Sequence, residues 1–179
     1  MTEQLPPIRR LVTAVDANGR SRIIEDAPAK SVRTVAERPG YRAVNVWRTE
    51  DTPASIDASD TTPSHKGILP PKSGTILRVI DFPPEPSDAQ ELKRMLDATF
   101  GGIYKDAAHD KAARHPGMHT TDTVDYAIIL EGEIWAVMDE GEILMRAGDV
   151  LIQRGTNHAW ANRSGKTARI AFVLIDGKR

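Results

Sequence analysis

Two short stretches of the chain carry side chains capable of chemistry at the spacing of a β-strand. Successive side chains of an extended strand point to opposite faces, so His119, Thr121, Thr123 and Asp125 fall on one face, which Ala127 and Ile129 continue inward. His158, Trp160 and Asn162 share a parity in the same way, so an imidazole, an indole and an amide project together. Groups of these types serve as general bases, as hydrogen-bonding anchors or as metal ligands. A small β-barrel normally fills its interior with apolar side chains, and polar groups aimed inward are costly unless they are hydrogen-bonded or bind something. The chain has no cysteine, which excludes disulfides, thiolate nucleophiles and thiolate-bound zinc, so any metal site is built from nitrogen and oxygen donors.

The elements that must hold these groups are short strands. From Thr120 onward, β-prone segments alternate with Gly132, Gly141, Gly148, Gly155 and Gly165, an even spacing that predicts an antiparallel sandwich or barrel. Strands are expected near residues 126–130, 134–138, 143–145, 150–153, 159–161 and 168–175. Upstream, residues 9–15 and 20–25 flank Asn18-Gly19 and predict a hairpin. Residues 41–48 and 75–82 read as further strands, separated by a Thr, Asp, Ser and Pro-rich loop over 49–71. One helix is expected, begun by a capping box at Ser87 and Gln90, carried by Ala89, Leu92, Leu96 and Thr99, and ended by Gly101-Gly102. It either packs plainly or caps the barrel mouth. The length of 179 residues suits a single domain, with N-terminal strands and loop (1–73) packed on a barrel (74–179).

Over residues 74–179 the spacing resembles the two short motifs of the cupin superfamily. That family's first motif has two His one residue apart, then Glu, then six residues and a Gly; here His119, Asp125 and Gly132 stand at three of those places, with YAIILE between the last two. The second runs from Gly through a Pro-x-Gly turn to a His, then three residues and an Asn; here Gly148-Asp149 leads through Gln153-Arg154-Gly155 to His158, with Asn162 in the Asn place. HTTDTVDYAIILEGEI and GDVLIQRGTNHAWANR are similar to a subgroup of single-domain cupins from bacteria and fungi. The departures are Thr121 for the second His, Asp125 for Glu and Gln153 for the turn Pro.

The resemblance implies an all-β fold: a double-stranded β-helix, or jelly-roll, with extra N-terminal strands and one short helix. Carried over residue by residue, it implies a metal set of His119, Asp125 and His158 for a divalent ion (Fe, Mn, Ni or Zn), or an inward hydrogen-bonded trio with no ion. Thr121, Asp125 and His158 are the implied catalytic residues, with the Thr121 hydroxyl orienting a water or shuttling a proton. Gln153, Arg154, Trp160 and Ile129 are the expected pocket, where Arg154 and Gln153 would anchor an acidic or carbonyl substrate. In an ion-free version, His119 or His158 is the general base and Asp125 holds its tautomer. Asn162 reads as a turn former, His109 and His115 as part of a solvated connection, His65 as loop surface, and Asp122 as pointing to the opposite face.

The implied function is that of a small-molecule metalloenzyme, with decarboxylation, isomerisation, dehydration and oxygenative cleavage all open among cupins. The alternative is a metal-free small-molecule binding or sensing protein. Lys+Arg 24 against Asp+Glu 25 leaves a net charge of -1, no field with which to gather phosphates, so nucleic acid is not an expected partner. The longest apolar runs, 126–130 and 170–175, are far too short to cross a bilayer, and the amino end, with an early acid and two prolines, does not read as a secretory signal. The cytoplasm is the expected location. A homodimer is expected, pairing through sheets or through the N-terminal strands.

Overall fold

The computed structural model describes residues 4–109 and 113–179. The chain opens with the expected hairpin, β1 (Arg9–Val15) against β2 (Ser21–Pro28). Its turn is closed by the Asp16 carboxylate, which accepts from the Asn18 and Arg20 amides, while Gly19 takes the left-handed conformation (φ 76°) that the turn requires. β3 (Ser31–Thr34), β4 (Arg42–Thr49) and β5 (Thr75–Phe82) follow, then α1 (Ala89–Ile103) and the two-residue strands β6 (Ala108–His109) and β7 (His119–Thr120). The remainder is β8 (Thr123–Glu131), β9 (Glu133–Met138), β10 (Glu142–Arg146), β11 (Val150–Arg154), β12 (His158–Ala161) and β13 (Ala168–Asp176).

These strands form a five-stranded sheet, β10-β9-β12-β7-β6, facing a six-stranded sheet, β11-β8-β13-β5-β4-β3. This is the double-stranded β-helix of an all-β protein. β13 pairs with both β5 and β8 and is buried along most of its length, which explains its nearly continuous apolar sequence. Between the sheets lies a core that includes Ile76, Ala127, Ile129, Ile134, Ile170 and Phe172. Gly132 makes the corner where the chain leaves β8 for β9 in the other sheet: its φ is 74°, and a Cβ there would sit 3.0 Å from the Thr167 carbonyl oxygen.

β3 and β4 are not a separate layer on the barrel; both continue the six-stranded sheet outward from β5, so the sheet runs across the sequence position where N-terminal strands were expected to give way to barrel. Buried Asp81 on β5 ties this region together, pairing with Arg42 from β4 (2.6 Å) and Arg169 from β13 (2.6 Å), and both arginines also donate to the Pro6 carbonyl.

The helix begins one residue later than its capping box suggests. Asp88, not Ser87, is the N-cap and accepts from the Glu91 amide at 2.7 Å. α1 then runs through Gly101-Gly102 to Ile103, because both glycines face open space and cost it only propensity. Met95, Leu96, Thr99 and Phe100 are buried, and the Thr99 hydroxyl is satisfied by the Met95 carbonyl. Leu96, Thr99 and Phe100 line the barrel cavity, so the helix caps the mouth. Among the described residues, no helix is long and apolar enough to cross a membrane.

Candidate active site

One cavity inside the barrel gathers most of the chemistry-bearing residues. His119, Thr121, Asp125, Gln153, His158 and Trp160 all line it, together with Phe100 from the helix and Phe172 from β13. The parity of the first stretch holds: His119, Thr121, Thr123 and Asp125 are buried and Asp122 and Val124 are exposed. Between Thr120 and Thr123, however, the chain passes from the five-stranded sheet to the six-stranded one. His119 and Asp125 therefore look into the cavity from opposite walls.

His158 sits directly across from His119 in the β12–β7 pair, and their ring centroids are 4.3 Å apart. Burial is the main force on both, pushing His119 down to about 3, with help from the neighbouring His158, and His158 down to about 4. Both rings are consequently neutral at pH 7. His119 Nδ1–H donates to the Gly117 carbonyl at 2.9 Å and His158 Nδ1–H to the Thr156 carbonyl at 3.0 Å, which leaves Nε2 as the lone-pair nitrogen of each ring. The tautomers are set by the backbone and not by Asp125, contrary to the ion-free expectation. The reason lies in local sequence: both turns, HPG before His119 and GTN before His158, bring a carbonyl under the ring.

Asp125 faces a different environment. Its carboxyl is pushed up to about 6 by burial, against a smaller downward pull from the Thr123 hydroxyl and from Arg78. Its Oδ1 is buried without a hydrogen-bond partner, and so is Oε1 of Gln153, its partner across the β8–β11 pair. Thr121 and Thr123 share a hydrogen bond of 2.7 Å, which links Thr121 through Thr123 to the carboxyl.

Two expected pocket residues lie elsewhere. Arg154 follows buried Gln153 on β11, and strand alternation turns it to the outer, exposed face. Ile129 is 1% exposed but packs in the apolar core rather than against the cavity. The remaining histidines also differ from expectation. His65 is 3% exposed, held between Arg48 and Arg78, and pushed down to about 4 by burial and then by those arginines. Buried His115 accepts from the Gly117 amide at Nδ1 and donates from Nε2 to Glu85 at 3.0 Å. His109 stacks on Phe100 at 4.0 Å and donates to the Pro116 carbonyl. Asn162 is the turn former expected of it: its amide donates to the Phe82 and Lys166 carbonyls and its oxygen receives Ser164.

Sequence reasoning did not single out Arg38, Tyr41, Arg78 and Tyr104, all of which line the same cavity. Arg78 is fully buried and spends its guanidinium on Asn45 Oδ1 (2.8 Å), the Gly67 and Ile68 carbonyls and His65. Its neighbours in sequence carry no signal of this; a lone Arg in the apolar run of β5 is the only hint.

An ion at this site would be expected to use neutral imidazoles whose Nδ1–H groups are tied down, and His119 and His158 fit that description. The carboxylate is the part that does not join them: among the described residues, no group of three or more His, Cys, Asp or Glu is placed to hold a metal ion.

Two facing sheets with polar side chains turned into an otherwise apolar cavity place the chain among double-stranded β-helix proteins and make the cavity its candidate site. No protein-family model matches the chain. A cupin-domain-containing oxidoreductase of Neurospora crassa is 28% identical over 181 positions, covering 97% of this chain and 78% of that protein. Another from Aspergillus ruber is 27% identical, covering 98% and 78%. Two phomopsin biosynthesis cluster proteins of Diaporthe leptostromiformis are 48% identical over 63 residues; that match spans 34% of this chain and only 33% of each relative's length. Among solved structures, a Cupin 2 conserved barrel domain protein from Salinispora arenicola has a TM-score of 0.43 at 14% identity, covering 80% of this chain and 82% of its own. Over nearly its whole length the chain is similar to cupin-domain-containing proteins, in keeping with the all-β fold described above.

Proposed function

We propose that this chain is a cupin enzyme that performs proton-transfer chemistry on a small, largely apolar molecule bearing a carbonyl or hydroxyl oxygen, with Asp125 as the general base. The observation that carries this reading is the Asp125 carboxyl itself: buried, with one oxygen unpartnered, in a cavity, and with a proton affinity near neutrality where a base is most effective. The curated relatives of N. crassa and A. ruber are named oxidoreductases, which supports an enzyme over a structural protein.

The division of labour follows from the two walls. His119 and His158, neutral and with free Nε2 lone pairs, accept from a ligand hydroxyl and orient it; they stay unprotonated and so are poor proton carriers at pH 7. Asp125 takes the proton, and the Thr123–Thr121 hydroxyl pair carries it onward. Trp160, Phe172 and Phe100 enclose the apolar body and exclude water. A divalent ion, if the protein carries one, would be held by His119 and His158 without Asp125, and would supply Lewis acidity there.

The test is solvent deuterium exchange into the benzylic α-carbon of an arylalkyl ketone, phenylacetone, followed by NMR with the purified chain. Exchange faster than buffer, reduced about 100-fold or more in Asp125→Asn, supports the reading. Exchange no faster than buffer, or unaffected by Asp125→Asn, rejects it and leaves a binding protein. Metal analysis of untagged protein and of His119→Ala and His158→Ala decides the ion separately.

A further inference from the structure

Arg38 lines the cavity, and the proposed reaction leaves its chemistry unused. It sits in the turn between β3 and β4, where its own main chain accepts from Tyr41 and donates to Val35, and its side chain is carried inward. The residue is 3% exposed and lines the cavity. Among the described residues, no hydrogen bond or ion pair engages its guanidinium, and Nε is buried with no partner at all. What it has instead are ring faces: Tyr41 at 4.4 Å and Phe82 at 5.6 Å from the guanidinium carbon. The acid that acts on it at longer range, Glu85, is itself hydrogen-bonded to His115.

A buried arginine stays charged, and burying a charge without an anion is among the costliest arrangements a fold can keep. Arg78 on the same cavity wall is also cationic and is surrounded by neutral acceptors only. Two guanidiniums thus face a single cavity carboxyl, Asp125, and the neutral imidazoles of His119 and His158 do nothing to balance them. The cavity as folded is short of negative charge. Beside Arg38, the hydroxyls of Tyr41 and Tyr104 meet at 2.9 Å; one donates to the other, so one O–H of the pair remains free to donate.

We infer that Arg38 and the Tyr41–Tyr104 hydroxyl pair form the anchor for a carboxylate of the ligand, which makes the ligand a small organic acid with an aromatic or otherwise apolar body. Fork-shaped donation from a guanidinium suits a carboxylate, and the ring faces of Tyr41 and Phe82 hold the guanidinium plane still while it waits for one. The assignment rests on the cavity being the ligand site, as the proposed function has it, and it places the anchor at Arg38 instead of outward-facing Arg154. In this arrangement the acid end is held at the Arg38 side while the imidazoles and Asp125 meet the rest of the molecule.

The experiment compares benzoate with benzamide, its neutral counterpart of nearly the same shape, by calorimetric titration of the full chain, as wild type, Arg38→Met and Arg38→Lys. Expected are binding of benzoate over benzamide by wild type, a loss of benzoate affinity of about 10- to 100-fold in Arg38→Met, and a preference for benzoate kept in Arg38→Lys. In the absence of ligand, Arg38→Met should melt no lower than wild type, since it removes an unpaired buried charge; a structural arginine would show the reverse. No benzoate binding to wild type, equal binding of benzamide, or unchanged benzoate affinity in Arg38→Met overturns the inference, and so does an Arg38→Met protein that melts lower than wild type or fails to fold. Benzoate binding without ketone exchange keeps the anchor and removes the enzyme reading; exchange without benzoate binding does the opposite.

Discussion

Asp125 and Gln153 stand directly opposite each other on β8 and β11, and each buries an oxygen that no donor reaches. Two acceptor oxygens facing one small space repel unless a proton or a ligand donor comes between them. The Asp125 carboxyl, pushed up to about 6 by burial, is the group that keeps a proton there most readily. The cavity thus stores an unmet demand for donors on the six-stranded wall and for an anion at Arg38.

Asp125→Asn is expected to stabilise the protein above pH 6 and to change little below pH 4. The folded carboxyl keeps its proton up to about 6, whereas an unfolded one loses it near 3.8, so the stability this group contributes is present below 3.8 and is lost as the pH rises through about 6. The full difference is on the order of 3 kcal/mol. Urea unfolding of both proteins between pH 4 and 8 checks this; an advantage of the variant that does not grow with pH contradicts it.

Acid should act in the opposite sense through the histidines. His65, His119 and His158 are all pushed down in the fold, chiefly by burial, so below 6.5 the unfolded chain takes up protons that the folded one refuses. Their contribution is intact above 6.5 and is lost as the pH falls toward 4 and then 3. His158→Gln should flatten the decline in midpoint between pH 7 and 4.5; an unchanged slope would show that His158 titrates normally.

Arg78→Met should cost about 3–5 kcal/mol, because it strips Asn45, His65 and the Gly67 and Ile68 carbonyls of a buried donor at once. It should also lift the Asp125 carboxyl further, since Arg78 is one of the influences that hold it down. Carboxyl chemical shifts followed against pH read the second effect independently of the first.

Asp81→Asn leaves Arg42 and Arg169 buried without their shared carboxylate and is expected to cost about 3–5 kcal/mol. Because both arginines also hold the Pro6 carbonyl, faster amide exchange should appear in the segment entering β1. Exchange confined to β5 and β13 would show that the arginines hold the segment without Asp81.

The outer face of β8 and the edge strand β11 leaves Val124, Tyr126, Val150 and Ile152 exposed side by side. Covering such a strip by a second copy is the expected arrangement, and sedimentation should give about twice 19.7 kDa, falling to one chain in Tyr126→Lys/Ile152→Lys. A mass of one chain for the wild type rejects it.

Local patterns made much of this protein legible. The hairpin about Asn18-Gly19, the barrel strands between spaced glycines, the helix and the inward parity of His119, Thr121, Asp125 and His158 are consequences of turn chemistry and the two-residue period of a strand, which act within a few residues. The same period places Arg154 outside once Gln153 is known to be inside. What no local rule contained is which wall each group would stand on. The switch of sheets at Thr121-Asp122 separates Asp125 from the two imidazoles although it shares one parity with His119. Arg38, Arg78, Tyr41 and Tyr104 reach the cavity from a turn, a strand and a helix end far apart in the chain. Burial then decides their charge states, because desolvation depends on everything packed around a group and on nothing in its own neighbourhood of sequence.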